Sequence, residues 1–532
     1  MKRLLARLGG PRALLIGSVV TLVGGVVLPW HEMLLTIGAA MFVLFLVAAG
    51  SPTRTGIDEV HGSAQWPNIE EVKGWMVKNQ AGKSAGAVVE MGEARSGTGE
   101  AVPLSWKTDK HVLIIASSGS GKGTDLIIPN LLSYDGSVFV LDPKGENARA
   151  TMRYRASIKH PGKGLASVHC LDPWGLTGKG EKNGFDPQLV RSRFNPLGRL
   201  CLDENAADVA TESAALASAL VLPASGDGNR YFPDSARQLI EGLIAYVVTD
   251  PERRKLADLL MVRNILTTRL RPTLRRMKVT KFGPDTIRSN ASRMLLIGDN
   301  KEFGAIVSTA MTETSFLDNP LLQDSLAAIP ENQLGFSGWR GEAPMSVYVC
   351  LPAPYFQTFN RWLRLIVTAA LDEMMRHQKP PAQPVMFMLD ELATLGRLDQ
   401  VENAIGLARG YGIQMWSIFQ DMGQIKGTYG DRWSSFVGNA GLRMFFGTQD
   451  YETGQLVSDM IGNETVQIRR GSGNEGGAIQ HHGRRLLMPD EVMRMRQESM
   501  VAFIPGERPV MVRRVPYYEN PQYKERWDDP RL

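Results

Sequence analysis

Short apolar runs that alternate with helical segments dominate the chain from His111 onward. Five runs have the length and composition of buried parallel strands: His111–Ile115, Val138–Leu141, Val168–Leu171, Val347–Leu351 and Val385–Leu389. The same pattern resumes after Leu407, where Met415–Phe419 and Arg443–Phe446 are further predicted strands. Strands that alternate with helices predict an α/β fold with a parallel sheet.

The strand pattern breaks between about 195 and 335. Ala206–Leu222 and Ser235–Val248 repeat their apolar residues at helical spacing, so we predict an all-α insertion over 195–335. This insertion divides the α/β core into 56–194 and 336–515. Residues 51–105 are predicted to be a linker with a small strand-bearing lead-in, Gly471–Gly477 a mobile loop and 516–532 an extended tail.

Two apolar runs near the N-terminus, Ala13–Trp30 and Met33–Ala49, contain no Lys, Arg, Asp or Glu. Each has about the 17–18 residues that marginally cross a bilayer. Basic residues flank the pair: Lys2, Arg3, Arg7, Arg12 and Arg54. The positive-inside rule then predicts a two-helix transmembrane hairpin at 1–55, with both termini and the remaining domains cytoplasmic. A cleaved signal peptide is the alternative.

Composition adds little to this picture. The chain has 532 residues, of which 43% are hydrophobic and 22% charged, and these values are typical of a folded protein. The net charge of +5 permits a nucleic-acid partner without favouring one. Its three cysteines form no C-x-x-C pair, which argues against a metal cluster or a disulfide framework, so we expect them in the core.

A small-residue loop follows the first predicted strand and precedes a helical segment. Such a loop turns backbone N–H groups toward a polyphosphate. The candidate phosphate-binding residues are Ser117, Ser118, Gly119, Ser120, Gly121, Lys122, Gly123 and Thr124. The match to the usual phosphate loop is imperfect, because Ala116 replaces the first glycine and Gly123 stands where a magnesium-binding hydroxyl is expected. Thr124 is a candidate for that hydroxyl from one position later. An ordinary glycine-serine connection is the alternative.

The predicted strand Val385–Leu389 leads directly into two carboxylates, Asp390 and Glu391. Beside a phosphate loop, the first carboxylate can hold magnesium and the second can polarise the attacking water. An acidic strand end is common by itself. Two halves of a nucleotide site, each at a strand end of the same α/β chain, together predict a nucleoside triphosphatase.

Several further motifs occur in a fixed order along the chain. They are HGSAQW at 61–66, SGKG at 120–123, IPNLL at 128–132, VFVLDPKGE at 138–146, FNPL at 194–197, DELATLG at 390–396, RGYG at 409–412 with Gln420, and LLMPDE at 486–491. In this order they resemble the TraG-like type IV coupling proteins, which are hexameric motors related to RecA and FtsK. By the resemblance, a glycine directly after the lysine, as at 122–123, is usual in the phosphate loop of that family.

The resemblance implies a RecA-like P-loop NTPase core in a ring at the bacterial inner membrane, with ATP and magnesium bound at subunit interfaces. By the resemblance, Lys122 grips phosphate, Asp390 serves magnesium and Glu391 activates water. Arg409 corresponds to an arginine finger that reaches the neighbouring subunit's nucleotide, and Gln420 corresponds to a γ-phosphate sensor. Without the resemblance, a surface cation and a polar loop residue are the simpler interpretations of these two residues.

The leading functional hypothesis is a coupling ATPase that recruits a relaxase–DNA complex and drives it into a type IV secretion or conjugation channel. DNA, favoured as a single strand, would be contacted without sequence specificity. A coupling protein that recruits only protein effectors, and a nucleotide-binding scaffold or receptor without motor activity, are the alternatives.

Candidate DNA contacts are less specific. Ten basic residues lie between Arg253 and Lys281, opposed only by Asp258. A phosphate-binding patch and an ordinary solvated helix face are equally compatible with this stretch. A second group flanks the glycine loop and consists of Arg469, Arg470, Arg484 and Arg485.

Overall fold

The computed structural model describes residues 61–531, apart from 82–85, 96–98, 161–163, 179–183, 203–204, 223–229, 342 and 471–477. The described residues form two compact units. The smaller unit contains Gly462–Leu486 with the described residues up to Gln65, and the larger unit contains Trp66–Ile461 and the residues from Leu487 onward.

An eleven-stranded sheet is the framework of the larger unit. Its strands are β1 (Ala87–Arg95), β2 (Ala101–Thr108), β3 (His111–Ile115), β4 (Val138–Asp142), β5 (Ser167–Leu171), β6 (Met345–Cys350), β7 (Val385–Leu389), β8 (Ile413–Phe419), β9 (Ala440–Phe446), β12 (Ser499–Phe503) and β13 (Val510–Arg513), and the smaller unit holds β10 (Asn463–Arg470) and β11 (Ala478–Arg485). The spatial order in the large sheet is β2-β1-β13-β12-β9-β3-β8-β7-β4-β6-β5.

Seven neighbouring strands, from β9 to β5 in that order, run parallel. Every residue of the central strands β3, β8, β7, β4 and β6 is buried, which explains why these segments are continuous apolar runs in the sequence. The predicted α/β class and all seven predicted strands are confirmed. The three cysteines are free and buried, as expected.

Helices connect the strands of the sheet, and they also form the long connection between β5 and β6. They are α1 (Ile69–Ala81), α2 (Ile128–Ser133), α3 (Glu146–Ser157), α4 (Ala206–Leu220), α5 (Tyr231–Thr249), α6 (Leu259–Asn264), α7 (Leu270–Val279), α8 (Asp285–Ile297), α9 (Lys301–Glu313), α10 (Pro320–Leu326), α11 (Phe356–Arg376), α12 (Asp399–Leu407), α13 (Met422–Tyr429), α14 (Trp433–Asn439), α15 (Tyr451–Ile461) and α16 (Pro489–Met493). Between β5 and β6, all described elements are helical.

The antiparallel side of the sheet has four strands, of which β12 and β13 had no counterpart in the sequence predictions, whereas β1 and β2 begin within the stretch 51–105 that was predicted to be a linker with a small strand-bearing lead-in. β12 pairs antiparallel with β9, and β13, β1 and β2 follow in turn. The strands expected in this stretch are thus present as β1 and β2, and the linker interpretation does not hold for residues 87–105. Polar residues are tolerated in β1 and β2 because several of their positions are partly exposed, which hides the strand pattern.

The extended tail predicted for 516–532 was also wrong. Pro521–Tyr523 forms a 3-10 turn, and Tyr517 and Tyr523 are buried against α2 and α3. Arg153 on α3 pairs with Asp528 at 2.9 Å. The aromatic side chains supply apolar area that outweighs the polar composition of this segment.

In the smaller unit, β10 and β11 form an antiparallel hairpin, and Ser63 bridges to Glu464 on β10. The glycine loop between the two strands lies outside the described residues. The transmembrane hairpin predicted for 1–55 also lies outside them, and among the described helices none has both the length and the apolar character needed to cross a bilayer.

Candidate active site

The predicted phosphate loop leaves the carboxyl end of β3 and enters a π-helical turn, Gly123–Ile127, which continues as α2. Gly119 and Gly121 adopt left-handed conformations with φ of 74° and 87°. Glycine suits these positions, and at Gly121 a Cβ would also lie 2.7 Å from an oxygen of Asp125. Backbone N–H groups in such turns form anion-binding concavities, so the loop conformation suits a phosphate.

The serines of this loop have different environments. The backbone N–H of Ser120 donates to the Ser117 carbonyl at 3.2 Å, which closes a tight turn, and Ser118 is exposed at its tip. The Ser120 hydroxyl is buried and has no hydrogen-bond partner among the described residues. An unsatisfied buried hydroxyl in this position has capacity for a bound polar ligand.

The loop lysine lies against both predicted carboxylates. Lys122 Nζ is 2.7 Å from Glu391 Oε1 and 3.2 Å from Asp390 Oδ1, although some 270 residues separate the two motifs in sequence. The parallel order β3-β8-β7 explains this proximity, because the carboxyl ends of parallel strands share one edge of the sheet. The proximity of the two motifs, which the sequence predicts, is present in the structure.

These three charges are largely removed from solvent, since their side chains are only 13–15% exposed. Burial lowers the pKa of Lys122, but the attraction of the two carboxylates outweighs burial and raises that pKa above its ordinary value. Burial raises the pKa of Asp390, and the Lys122 charge opposes that rise. The lysine therefore stays charged and compensates the buried acids.

The residues present fit a hard cation beside a phosphate. Asp390 Oδ1 is buried and has no geometrically good hydrogen bond, only its ion pair with Lys122. Magnesium prefers oxygen ligands and keeps several waters, so one or two carboxylates with the phosphate oxygens suffice. Among the described residues no group of three or more His, Cys, Asp or Glu side chains forms a separate metal site.

Gln420, at the end of β8, joins the same cluster. Its side-chain amide donates to Glu391 Oε2 at 2.9 Å. Glu391 itself adopts a left-handed conformation with φ of 61° before the 3-10 turn Leu392–Leu395. Non-glycine residues adopt this conformation at an energetic cost, and it recurs where function demands a defined side-chain direction. One carboxylate thus contacts both the lysine and the amide.

Arg409 lies elsewhere. Its guanidinium donates twice to Asp109 Oδ2 at 3.0 Å, and its side chain is 55% exposed. Arg409 and Asp109 precede the parallel strands β8 and β3, whereas Lys122 follows β3. Within one chain, Arg409 is therefore at the opposite edge of the sheet from the phosphate loop.

The Thr124 hydroxyl donates to Asp125 Oδ1 at 2.6 Å and lies 3.1 Å from the Gly121 carbonyl. Its backbone carbonyl accepts a hydrogen bond from the Tyr517 N–H at 3.0 Å. The structure thus joins Thr124 to its own loop and to the C-terminal segment. Its magnesium role stays a prediction.

Sequence reasoning missed Arg514, which follows β13 and is only 2% exposed. Its guanidinium donates to the Ser120 carbonyl and to Asp125 Oδ2, both at 2.5 Å, and lies over the Phe446 ring at 4.3 Å. The pair joins positions 389 residues apart, and no local sequence signal marks it. Arg514 fixes the phosphate loop from outside the recognised motifs.

Asp142 is a second residue to which the sequence assigned no role. It ends β4 next to Asp390, because Leu141 and Leu389 are in register. It is 1% exposed and accepts a hydrogen bond from the Ala148 N–H at 2.8 Å. Burial raises its pKa to about 7, and the Asp390 charge contributes to the rise.

Comparison with known proteins gives the family. The model of the family described as "Type IV secretory system Conjugative DNA transfer" matches residues 61–531. Protein VirD4 of Rhizobium radiobacter is 26% identical in a gapped alignment of 473 positions that covers 86% of this chain and 64% of VirD4. A probable conjugal transfer protein TraG of Sinorhizobium fredii is 24% identical in a gapped alignment of 554 positions that covers 97% of this chain and 80% of TraG. The chain thus spans about two thirds of the VirD4 length.

Solved structures show a related fold. The bacterial conjugative coupling protein TrwBdeltaN70, in its unbound form, has a TM-score of 0.56 at 15% identity and covers 85% of this chain and 94% of its own. TrwB in complex with ADP and Mg²⁺ has a TM-score of 0.57 at 14% identity, with 85% and 93% covered. The mixed α/β sheet core therefore resembles that of TrwB. Because the family model matches nearly the whole described chain, the chain belongs to the type IV secretory system conjugative DNA transfer family, the TraG-like coupling proteins that its motifs resemble.

Proposed function

We propose that the chain is an inner-membrane coupling ATPase that recruits a relaxase–DNA complex and uses ATP hydrolysis to drive its transfer into a type IV secretion or conjugation channel. ATP and magnesium bind between the phosphate loop and the Asp390–Glu391 pair. The observation that carries the proposal is the convergence of Lys122 with both carboxylates, at 2.7 and 3.2 Å, in a chain of this family. The solved complex of TrwB with ADP and Mg²⁺ supports the choice of ligands.

The contacts suggest how the site works. Lys122 neutralises the two acids until a polyphosphate enters the loop, and its ammonium then turns to the β- and γ-phosphate oxygens. Asp390 is freed to hold Mg²⁺, which supplies charge neutralisation for the phosphates. Glu391 accepts a hydrogen bond from a water and polarises it for attack on the γ-phosphorus, while Gln420 orients that carboxylate.

The proposed role of Arg409, which is to stabilise charge at a nucleotide, requires a ring of subunits. In its own chain the residue is at the edge opposite Lys122, so it serves a nucleotide only if a neighbouring subunit brings that edge close. Its half-exposed guanidinium, bound to one carboxylate, is accessible to such a partner. We therefore propose a homo-oligomer, a hexamer by family analogy, in which Arg409 stabilises the developing charge on the adjacent site.

DNA contact is proposed for the exposed part of the basic stretch. Four of its ten residues are bound within the protein: Arg253 to Asp250, Arg254 to the Cys201 carbonyl, Arg263 to Asp318, and Arg271 to Asp299. The other six side chains are exposed: Lys255, Arg269, Arg275, Arg276, Lys278 and Lys281. This exposed group can contact backbone phosphates of a single strand without sequence preference.

ATP turnover by the full chain, purified in detergent with and without single-stranded DNA, tests this function. We expect Lys122→Ala to lower turnover at least about 100-fold, since one phosphate-binding charge commonly contributes a few kcal/mol to such transition states. Lys78→Ala, which changes an exposed lysine on α1, is the matched control and should leave turnover unchanged. Unaltered turnover by Lys122→Ala would refute the proposed site, and turnover insensitive to DNA would favour a system that exports only protein effectors.

A further inference from the structure

The phosphate loop lacks a hydroxyl at the position that usually faces magnesium. Gly123 occupies that position, directly after Lys122. Its φ is not in the left-handed region, so the backbone does not demand glycine there. A Cβ built on Gly123 would have a single neighbour within 4 Å, the side-chain oxygen Oδ1 of Asn147 at 3.7 Å. The space in front of this position is therefore open except for an amide oxygen.

Asn147 comes from a different element, the first turn of α3, and is only 4% exposed. Its side-chain nitrogen lies 3.4 Å from Asp142 Oδ1, and its backbone carbonyl accepts a hydrogen bond from the Thr151 hydroxyl at 2.7 Å. In this contact the amide nitrogen is the donor and the Asp142 oxygen is the acceptor. The amide oxygen consequently faces Gly123, and no hydrogen bond to this oxygen occurs among the described residues.

The surroundings of Asn147 are those of the metal site. Asp142, to which it donates, ends β4 beside the end of β7, where Asp390 follows. Thr124, the other candidate for the missing hydroxyl, donates instead to Asp125, which Arg514 holds in place. Asn147 is thus the side chain whose oxygen is directed at the vacated position without being committed to another contact.

We propose that Asn147 Oδ1 replaces the missing hydroxyl of the phosphate loop and faces the Mg²⁺ that Asp390 holds, either as a direct ligand or through one of its waters. The inference rests on the proposed nucleotide site and assigns a further residue to it. Amide oxygens are suitable ligands for this hard cation, and Mg²⁺ tolerates them in an otherwise aqueous and phosphate coordination sphere.

Binding of ADP to the full chain, measured by calorimetry with and without Mg²⁺, tests the assignment without relying on turnover. We expect Mg²⁺ to tighten ADP binding by the wild-type chain. Asn147→Ala should reduce this gain about tenfold, the lower end of what outer-sphere metal partners contribute, while Mg²⁺-free binding of ADP stays intact and shows that the site is folded. Asn147→Leu, which keeps the side-chain volume, should behave alike.

A variant in which the ligand oxygen is moved from position 147 to position 123 is the sharper test. Gly123→Ser places a hydroxyl where the structure leaves room, so the double variant Gly123→Ser with Asn147→Ala should recover the Mg²⁺-dependent gain. A full gain in both Asn147 variants, or a gain lost in Thr124→Val but kept in Asn147→Ala, would overturn the assignment while leaving the nucleotide site intact. A wild-type chain that binds no ADP under either condition would instead refute the proposed function.

Discussion

Arg514 and Asp125 form a buried ion pair that ties the phosphate loop to the segment following the last strand of the sheet. The guanidinium is 2.5 Å from Asp125 Oδ2 and donates equally closely to the Ser120 carbonyl. Burial raises the pKa of Asp125, and the hydrogen bond from the Thr124 hydroxyl and the charge of Arg514 partly offset that rise. The loop conformation therefore depends on a residue that belongs to none of the recognised motifs.

Removal of this arginine should destabilise the protein and weaken nucleotide binding together. Arg514→Ala leaves the Asp125 carboxylate buried without its partner, which costs about 3 kcal/mol in comparable buried pairs. Thermal unfolding and ADP titration of the full chain measure the two effects. Arg513→Ala is the matched control, since its pair with Glu93 is partly exposed and contributes about 0–1 kcal/mol.

A partial rescue would distinguish lost charge compensation from lost packing. Asp125→Asn in the Arg514→Ala background removes the uncompensated charge and should recover part of the thermal stability. If Arg514→Ala and Arg513→Ala are equally mild, the ion pair does not stabilise the loop.

Stability should depend on pH through Asp142. Its pKa is about 7 in the folded chain, because of burial, against 3.8 when unperturbed. Between these values the native state holds a proton that the unfolded state has lost, so stability falls as pH rises from about 4 to 7 and is then level. Asp142→Asn removes this loss. The melting temperature of the variant relative to wild type should therefore be higher at pH 8 than at pH 5, and a constant difference would contradict the assignment.

Arg409 should act on the neighbouring subunit. Lys122→Ala subunits have a defective site but an intact Arg409, whereas Arg409→Ala subunits have the opposite. Mixing the two inactive variants and allowing subunits to exchange should restore part of the ATP turnover, because some intact sites then face an intact arginine. No recovery in demonstrably mixed oligomers would exclude action between subunits. A chain carrying both substitutions, mixed with either variant, controls for simple dilution.

The exposed basic group on α7 should contribute to DNA affinity through phosphate contacts. Arg275→Ala combined with Lys278→Ala should weaken single-stranded DNA binding equally for different sequences, and should reduce the salt slope by about 1.4, or roughly 0.7 per contact. Fluorescence anisotropy across a salt series measures both effects. Lys78→Ala with Lys379→Ala removes two exposed lysines elsewhere in the chain, and an equal loss there would mean that total charge is responsible.

The parallel strands, the phosphate loop and the acidic pair were predictable because each is recognisable within a short contiguous segment of the sequence. A buried parallel strand such as β7 is an uninterrupted apolar run, and the charged residues that follow it are conspicuous. Lys122 and Asp390 could be expected to meet because strand ends of a parallel sheet share an edge.

What the sequence did not reveal depends on contacts between distant segments. No sequence motif marks Arg514, whose contact with the Ser120 carbonyl exists only because Arg514 follows β13 in the folded sheet. Likewise, Asn147 can be connected with the site only because its side-chain oxygen lies near Gly123 in the fold. The packing of the tail was missed because Tyr517, Tyr523 and Trp527 stand among polar residues at no regular spacing, and their contacts with α2 and α3 are decided by tertiary packing.

Nucleotide binding and turnover by Glu391→Gln, measured on the same preparation of the full chain, test whether the site around Lys122 and the two carboxylates hydrolyses ATP. The amide keeps the size of the side chain but cannot polarise water as the carboxylate does. We expect that ATP still binds with near-wild-type affinity in the presence of Mg²⁺, whereas turnover falls about 100-fold or more. Wild-type turnover by this variant would refute the assignment of Glu391 as the residue that activates the attacking water.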